Sequence, residues 1–134
     1  MEHVTEPDRE FDEVVEGVRL ADLATGARSS MKFWRIEPGA TLPAHRHHNE
    51  QIGFVVSGVL TAVLEDEERE LRPGDSYAFM SDELHGAENR GDEPAVGVGV
   101  LSPPRSEPDW GTAARETETN AESEVEPGRA ESDD

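Results

Sequence analysis

The segment that decides the fold is residues 39–58, which read GATLPAHRHHNEQIGFVVSG. Side chains of an extended strand alternate between its two faces, so His45, His47 and Gln51 are predicted to lie on the same face. Their neighbours His48 and Glu50 take the opposite face and are predicted to point away from that side. Two imidazoles and an amide oxygen on one face are potential metal ligands.

A second segment, residues 74–89, reads GDSYAFMSDELHGAEN and contributes His85. A strand that brings His85 opposite the first segment predicts a metal site made of His45, His47, Gln51 and His85. The chain has no cysteine, which excludes disulfides and thiolate ligands and leaves nitrogen and oxygen to hold a metal. We expect one divalent transition metal per subunit, and the ligand types do not choose among Ni, Zn, Fe and Mn.

Short apolar segments with β-type alternation fill the chain between residues 14 and 101. In residues 30–37, for example, Lys32, Trp34 and Ile36 alternate with Met31 and Phe33. Further strands are predicted at residues 17–23, 52–56, 59–64, 76–80 and 95–101, separated by Pro-Gly and Gly-Asp turns. No amphipathic helix of more than two turns is evident. The pattern predicts an all-β sandwich or barrel.

The two histidine segments resemble the paired motifs of the cupin superfamily. The first motif is glycine, five residues, His-x-His, three or four residues, glutamate, six residues and glycine, and Gln51 stands in the glutamate position. The second motif is matched by Gly74, His85 and Asn89, while Asp82 replaces its inner glycine. The resemblance covers roughly residues 15–105. It implies a single-domain double-stranded β-helix, a jelly-roll β-barrel with the metal inside its mouth.

Within the cupins, residues 45–54 and the run LSPPR at 101–105 resemble small enzymes that linearise 4,5-unsaturated uronates in pectin and alginate degradation. That group binds a divalent metal through three histidines and a glutamine. The resemblance implies that Arg105 pairs with a substrate carboxylate. Gly99 and Leu101 stand where the group has an aspartate and a phenylalanine, so an inward carboxylate is missing from the last strand. A proton-transferring group must then come from elsewhere, with three candidates: Tyr77, Arg35 and Glu88.

The chain is strongly acidic, with 31 acidic and 12 basic residues and a formal net charge of −19. This charge repels phosphate backbones and anionic membrane surfaces, so no nucleic-acid or membrane partner is expected. Lys32 is the only lysine, and this composition resembles that of proteins from organisms with molar salt in the cytoplasm. No targeting segment or long apolar run is present, which predicts a cytoplasmic protein.

Three parts of the chain are expected from these observations: an N-terminal arm (1–13), a cupin domain (14–106) and a disordered acidic tail (107–134). The apolar strand at residues 52–56, together with the arm, predicts a homodimer. Three functions remain open. The first is a Lewis-acid enzyme that isomerises or ring-opens a small carbonyl or carboxylate compound such as an unsaturated sugar acid. The others are a non-catalytic module that binds a small ligand or metal, and an iron or manganese dioxygenase.

Overall fold

The computed structural model describes residues 1–5 and 10–104. Within them the chain forms ten strands, listed here in chain order: β1 (Phe11–Val15), β2 (Val18–Thr25), β3 (Ser30–Ile36), β4 (Thr41–His45), β5 (Glu50–Ser57), β6 (Leu60–Leu64), β7 (Glu68–Leu71), β8 (Ser76–Phe79), β9 (His85–Glu88) and β10 (Ala95–Ser102). The predicted acidic tail and Arg105 lie outside the described residues. No helix in the described ranges is long and apolar enough to cross a membrane.

The strands form two antiparallel sheets. One has six strands in the order β1-β2-β3-β10-β5-β8, and the other has four in the order β4-β9-β6-β7. Strands far apart in the sequence therefore lie side by side, as β3 and β10 do, and consecutive strands β4 and β5 belong to different sheets. This is the jelly-roll arrangement, and the predicted all-β fold is confirmed.

The core lies between the two sheets and follows the alternation expected for β3. In that strand Ser30, Lys32, Trp34 and Ile36 are buried. Trp34 and Ile36 pack into a cluster to which both sheets contribute, together with Val18, Val55, Leu60, Ala87 and Ala95. The inward face of β3 is thus set by a period of two residues, as predicted.

The inward face of β10 has unusually small side chains. Ala95, Gly97 and Gly99 are buried in succession and are followed by Leu101. A Cβ atom built at Gly97 would lie 2.2 Å from Cζ2 of Trp34, so only glycine leaves space for the indole ring. The small residues of β10 therefore make room inside the barrel for large side chains from neighbouring strands.

The N-terminal segment contributes an edge strand to the six-stranded sheet. β1 pairs with β2 of the same chain, with Phe11 opposite Ala21, so its pairing needs no partner subunit. The predicted domain boundary at residue 14 falls inside this strand. Farther towards the N-terminus, the backbone N–H of Thr25 donates to Oε1 of Glu2 at 2.7 Å.

Asn89, the asparagine of the second motif, is buried and forms hydrogen bonds with backbone groups of the fold. Its side chain is 1% exposed, and its Nδ2 donates to the backbone oxygens of Ile36 at 2.9 Å and Glu93 at 2.8 Å. Its Oδ1 accepts a hydrogen bond from the backbone N–H of Gly91 at 2.9 Å. Asn89 therefore joins the β9–β10 connection to β3 and satisfies buried backbone groups.

Candidate metal centre

Three buried histidines converge between the ends of the two sheets. His45 ends β4, His85 begins β9, and the two residues are register partners in the four-stranded sheet. His47 lies in the connection between β4 and β5. One nitrogen from each of the three rings lies within 4.8 Å of the others, which is close enough for one ion to contact all three.

All three rings are oriented by the same kind of hydrogen bond. The Nδ1 atoms of His45, His47 and His85 lie 2.9, 2.8 and 2.9 Å from the backbone oxygens of residues 43, 49 and 83. A carbonyl oxygen only accepts, so each Nδ1 donates, and in the neutral ring the Nε2 atom holds the lone pair. Such a bond fixes the tautomer that a metal-binding histidine needs.

His85 is held neutral by its surroundings. Burial, followed by the proximity of His45 and His47, lowers the pKa of His85 to about 3, although the hydrogen bond to Glu83 opposes the shift. Its Nε2 atom is buried and has no hydrogen-bond partner among the described residues. Phe79 stacks on the ring with centroids 4.1 Å apart and an interplanar angle of 7°. A neutral, oriented imidazole with an unused buried lone pair fits a metal ligand.

The connection that positions His47 is anchored by contacts to two other segments. The side chain of Asn49 donates to the backbone oxygen of Pro103 after β10. The backbone N–H of Asp82 donates to the oxygen of His47 at 2.8 Å, and Ser81 donates to the oxygen of His48 at 2.7 Å. Asp82 has a φ of 66°, the left-handed conformation that suits the glycine of the motif. The two motifs therefore contact each other through backbone groups.

The predicted continuous ligand strand is wrong, although the predicted side-chain directions are retained. The chain leaves β4 at His45 and enters β5 at Glu50 in the other sheet. Even so, residues 45, 47 and 49 are buried and residues 46, 48 and 50 are exposed. His48 and Glu50 are thus on the outside, as expected. Asn49 was missed as a site residue, although its odd number placed it on the same side as the histidines.

A cavity of about 70 Å³ lies between the sheets beside the histidines. Gln51 lines it together with His45 and His85. Most of its other lining residues are apolar: Val18, Leu20, Trp34, Ile36, Leu42, Leu60, Ala62, Leu71, Phe79, Ala87 and Leu101. Few polar groups thus face this space, as in many small-molecule sites.

Tyr77 brings a hydroxyl group into this cavity across two glycines. A Cβ atom at Gly53 would lie 2.2 Å from the Tyr77 hydroxyl oxygen, whereas one at Gly99 would lie 3.9 Å from it. Burial raises the pKa of Tyr77 to about 12, although the nearby polar groups of Trp34 and Gln51 oppose the shift. The phenol therefore keeps its proton at neutral pH and can donate a hydrogen bond.

The other two candidates for proton transfer lie outside the cavity, so those predictions are wrong. Arg35 is on the face of β3 opposite to Lys32 and Trp34, and its Nε donates to Glu37 at 2.7 Å. Glu88 pairs with Arg90, whose Nε donates to it at 2.7 Å. Side chains on an outward face cannot reach a centre between the sheets.

Lys32 is a cavity residue that the sequence interpretation missed. Its side chain is 10% exposed, lines the same cavity as the histidines and contacts Asp22 through an ion pair. Its position among the inward residues of β3 and its status as the only lysine were both visible in the sequence. The low lysine content predicts salt adaptation, and it does not by itself indicate that Lys32 lines a cavity.

Comparison with known families agrees with this architecture. The sequence profile of the cupin domain matches residues 32–100, which is about half of the chain and includes the three histidines. The chain belongs to the cupin family. The predicted family resemblance is therefore confirmed.

Among curated proteins, this cupin is 28% identical over 98 residues to the pectin degradation protein KdgF of Dickeya dadantii. The match covers 72% of this chain and 88% of that protein. A second match, 34% identical over 67 residues, is to an H2HPP isomerase of Bacillus subtilis, and it covers 50% of this chain but only 28% of that protein.

Among solved structures, this cupin is similar to KdgF from Halomonas sp., with a TM-score of 0.72 and 26% identity. The superposition covers 78% of this chain and 96% of that one. The likeness thus includes nearly the whole of that structure.

Proposed function

We propose that this cupin binds one divalent transition metal and uses it to activate a small carbonyl or carboxylate compound of the unsaturated uronate type. The observation that carries the proposal is the shared orientation of His45, His47 and His85. Each ring donates its Nδ1 proton to a backbone carbonyl, so Nε2 is the nitrogen that would bind an ion, and one nitrogen from each ring lies within 4.8 Å of the others. Gln51 lines the same cavity and is proposed as the fourth ligand.

The donor set fits a borderline transition metal. Imidazole nitrogens and an amide oxygen suit Zn, Ni, Fe and Mn, and all four proposed ligands are neutral. A bound divalent ion would supply Lewis-acid polarisation of a substrate oxygen. The net charge of −19 favours accumulation of cations near the protein.

Within this proposal, Tyr77 donates a proton or a hydrogen bond to the substrate oxygen, because its raised pKa keeps it protonated. The apolar lining of the cavity limits the access of water to the reacting group. Phe79, stacked on His85, restricts rotation of that ring. Arg105 remains the proposed carboxylate partner by resemblance, at a position outside the described residues.

The uronate assignment is supported by the two KdgF relatives, one of which is described as a pectin degradation protein. A specific observation also favours the non-catalytic alternative. Among the described residues that line the cavity there is no carboxylate, and Gly99 offers no side chain. A binding module would need no general base, whereas an enzyme must use Tyr77 or another donor.

We also propose that a second copy of this chain covers the outer face of the six-stranded sheet. Ile52, Phe54 and Val56 are 50%, 45% and 52% exposed there, next to one another on β5. Apolar side chains grouped on an exposed sheet face are typical of an interface.

The function is tested by loading purified protein with Zn²⁺ or Ni²⁺ and adding 4,5-unsaturated galacturonate. The proposal predicts that the absorbance of the conjugated double bond disappears in the wild type and not in His45→Ala/His85→Ala. Tyr77→Phe should retain the metal but lose most of the turnover. Turnover only with iron or manganese and with consumption of oxygen would favour the dioxygenase, and stoichiometric metal without turnover would favour the binding module.

A further inference from the structure

One row of register partners crosses the six-stranded sheet inside the barrel. It runs from Asp22 on β2 through Lys32, Gly99 and Gly53 to Tyr77 on β8. The phenol occupies the space over Gly53, since a Cβ atom there would collide with it. A Cβ atom at Gly99 would have only ordinary contacts, at 3.4 Å or more. The row thus has a cation near one end and a phenol at the other, and Gly99 between them lines the cavity and has room for a methyl group.

Lys32 lies close to the proposed metal ligands. It is the direct strand neighbour of Gly99, and strands in a sheet are about 4.8 Å apart. The amide nitrogen of Gln51 is 3.4 Å from the Cβ position of Gly99. A small ligand over Gly99 would therefore contact Gln51 on one side and be within reach of the long Lys32 side chain on the other.

The partner of Lys32 is weakly held. Asp22 is 71% exposed, so water solvates its carboxylate, and an ion pair with such a group contributes little. Lys32 in contrast is 10% exposed and has a flexible four-carbon stem that can turn its ammonium group. Release of the Asp22 carboxylate to water therefore costs little free energy, and another anion that takes its place keeps Lys32 in an ion pair.

No other lysine or arginine of the described chain lines this cavity, and no described carboxylate lines it either. Among the described lining residues, Lys32 is thus the one lysine or arginine side chain that can form an ion pair with an anion in the cavity. The apolar remainder of the lining strengthens this attraction, because a less polar surrounding screens charges less than water does.

We propose that Lys32 binds the carboxylate of the substrate in this cavity. In this role, called the anchor below, Lys32 exchanges Asp22 for the substrate carboxylate and holds that carboxylate beside Gln51 and over Gly99. This deepens the proposed function and rests on it for the identity of the acid. It assigns carboxylate binding to a residue on the wall of the barrel, in addition to any role of Arg105.

The single lysine makes a direct test possible. Protein labelled with ¹³C-lysine has one lysine spin system, so its terminal methylene signal reports on Lys32 alone. The Zn²⁺-loaded protein is titrated with galacturonate, with pyruvate and with the methyl ester of each. We expect saturable shifts with at least one acid and none with the corresponding ester. If an acid binds by calorimetry and the lysine signal does not move, the anchor is overturned.

Substitutions at Lys32 and Asp22 provide a second test of the exchange. Lys32→Met keeps the apolar stem and leaves Asp22 in solvent, so the fold and the zinc content should be retained. It should weaken acid binding about tenfold or more, and Lys32→Arg should weaken it less. Asp22→Asn should strengthen acid binding, since it removes the competing carboxylate. Unchanged affinity in Lys32→Met, or equal losses in Lys32→Met and Asp22→Asn, would contradict the exchange.

Comparison of pyruvate with the uronate distinguishes a failure of the Lys32 anchor from a failure of the proposed function. Lysine shifts with pyruvate, without binding or turnover of 4,5-unsaturated galacturonate, would refute the uronate assignment and retain the anchor. Turnover of 4,5-unsaturated galacturonate that is unaffected in Lys32→Met, with an unmoved lysine signal, would retain the function and refute the anchor. Failure of both acids to shift the lysine signal would refute the anchor, and the zinc content measured on the same samples reports on the metal site.

Discussion

His45 and His85 face each other across the antiparallel strands β4 and β9, with ring centroids 4.5 Å apart. Cross-strand neighbours on one face are fixed by the hydrogen bonds of the sheet. His47 lies in the β4–β5 connection, and its position depends on contacts with Asp82 and Asn49. Substitutions that remove these contacts should therefore lower the metal affinity while the protein still folds.

Asp82 allows this difference to be measured. Valine at its φ of 66° is strained by roughly 1–2 kcal/mol, whereas glycine is not. We expect Asp82→Val to lower the free energy of unfolding by about that amount and to weaken zinc binding, while Asp82→Gly preserves both. Urea unfolding and competition with a zinc indicator measure the two effects. Wild-type zinc affinity in a destabilised Asp82→Val protein would show that His47 is positioned independently of this turn.

The glycines of β10 should differ sharply in their tolerance of alanine. A Cβ atom at Gly97 would lie 2.2 Å from Trp34, so Gly97→Ala should lower the free energy of unfolding by about 1–3 kcal/mol. At Gly99 the nearest contact is 3.4 Å, so Gly99→Ala should stay within about 1 kcal/mol of the wild type. Denaturant unfolding compares the two variants directly. Equal losses would show that the cavity over Gly99 is closed.

The ionisation of Tyr77 can be followed without interference because it is the only tyrosine. Its pKa is raised from 10.0 to about 12, so the unfolded chain releases the phenolic proton at lower pH than the folded chain does. Stability is therefore complete below pH 10 and falls as the pH rises towards 12. The absorbance of phenolate, recorded in native and urea-unfolded protein, measures both midpoints. A native midpoint near 10 would show that the hydroxyl is solvated.

The proposed dimer can be tested at Phe54, which is 45% exposed on β5. Phe54→Asp should convert the dimer into monomers in sedimentation experiments, because a carboxylate would be buried in an apolar contact. Thr41→Asp adds the same charge to an exposed position of the other sheet and should leave the assembly unchanged. A wild-type protein that is monomeric at all concentrations would refute the interface.

The sequence predicted the fold and the directions of the histidines because both depend on local periodicity and motif spacing. Apart from the ligand strand, every predicted strand segment begins and ends within two residues of the ends of an observed strand. β7 was missed because Glu68, Arg69 and Glu70 are exposed charges with no apolar alternation. Its assignment depends on pairing with β6, which a local pattern does not show.

The candidate site could be predicted less completely, because its wall is assembled from distant strands. Lys32, Gly99 and Tyr77 are brought together by pairings among β3, β10, β5 and β8. The error at Arg35 was avoidable, because its odd number places it opposite to Lys32 and Trp34 on β3. Salt adaptation and a cytoplasmic location stay predictions, since they concern the surroundings of the protein and not its fold.

If His45, His47 and His85 hold a metal, the purified protein should contain it, and its metal content can be measured. Elemental analysis after loading with Zn²⁺ and removal of excess metal should give about one ion per chain for the wild type, bound by the three-histidine cluster. The exposed-histidine control His48→Ala should match it, and His85→Ala should bind far less. Equal zinc in His85→Ala and the wild type, or no zinc in either, would show that these histidines do not form a metal site.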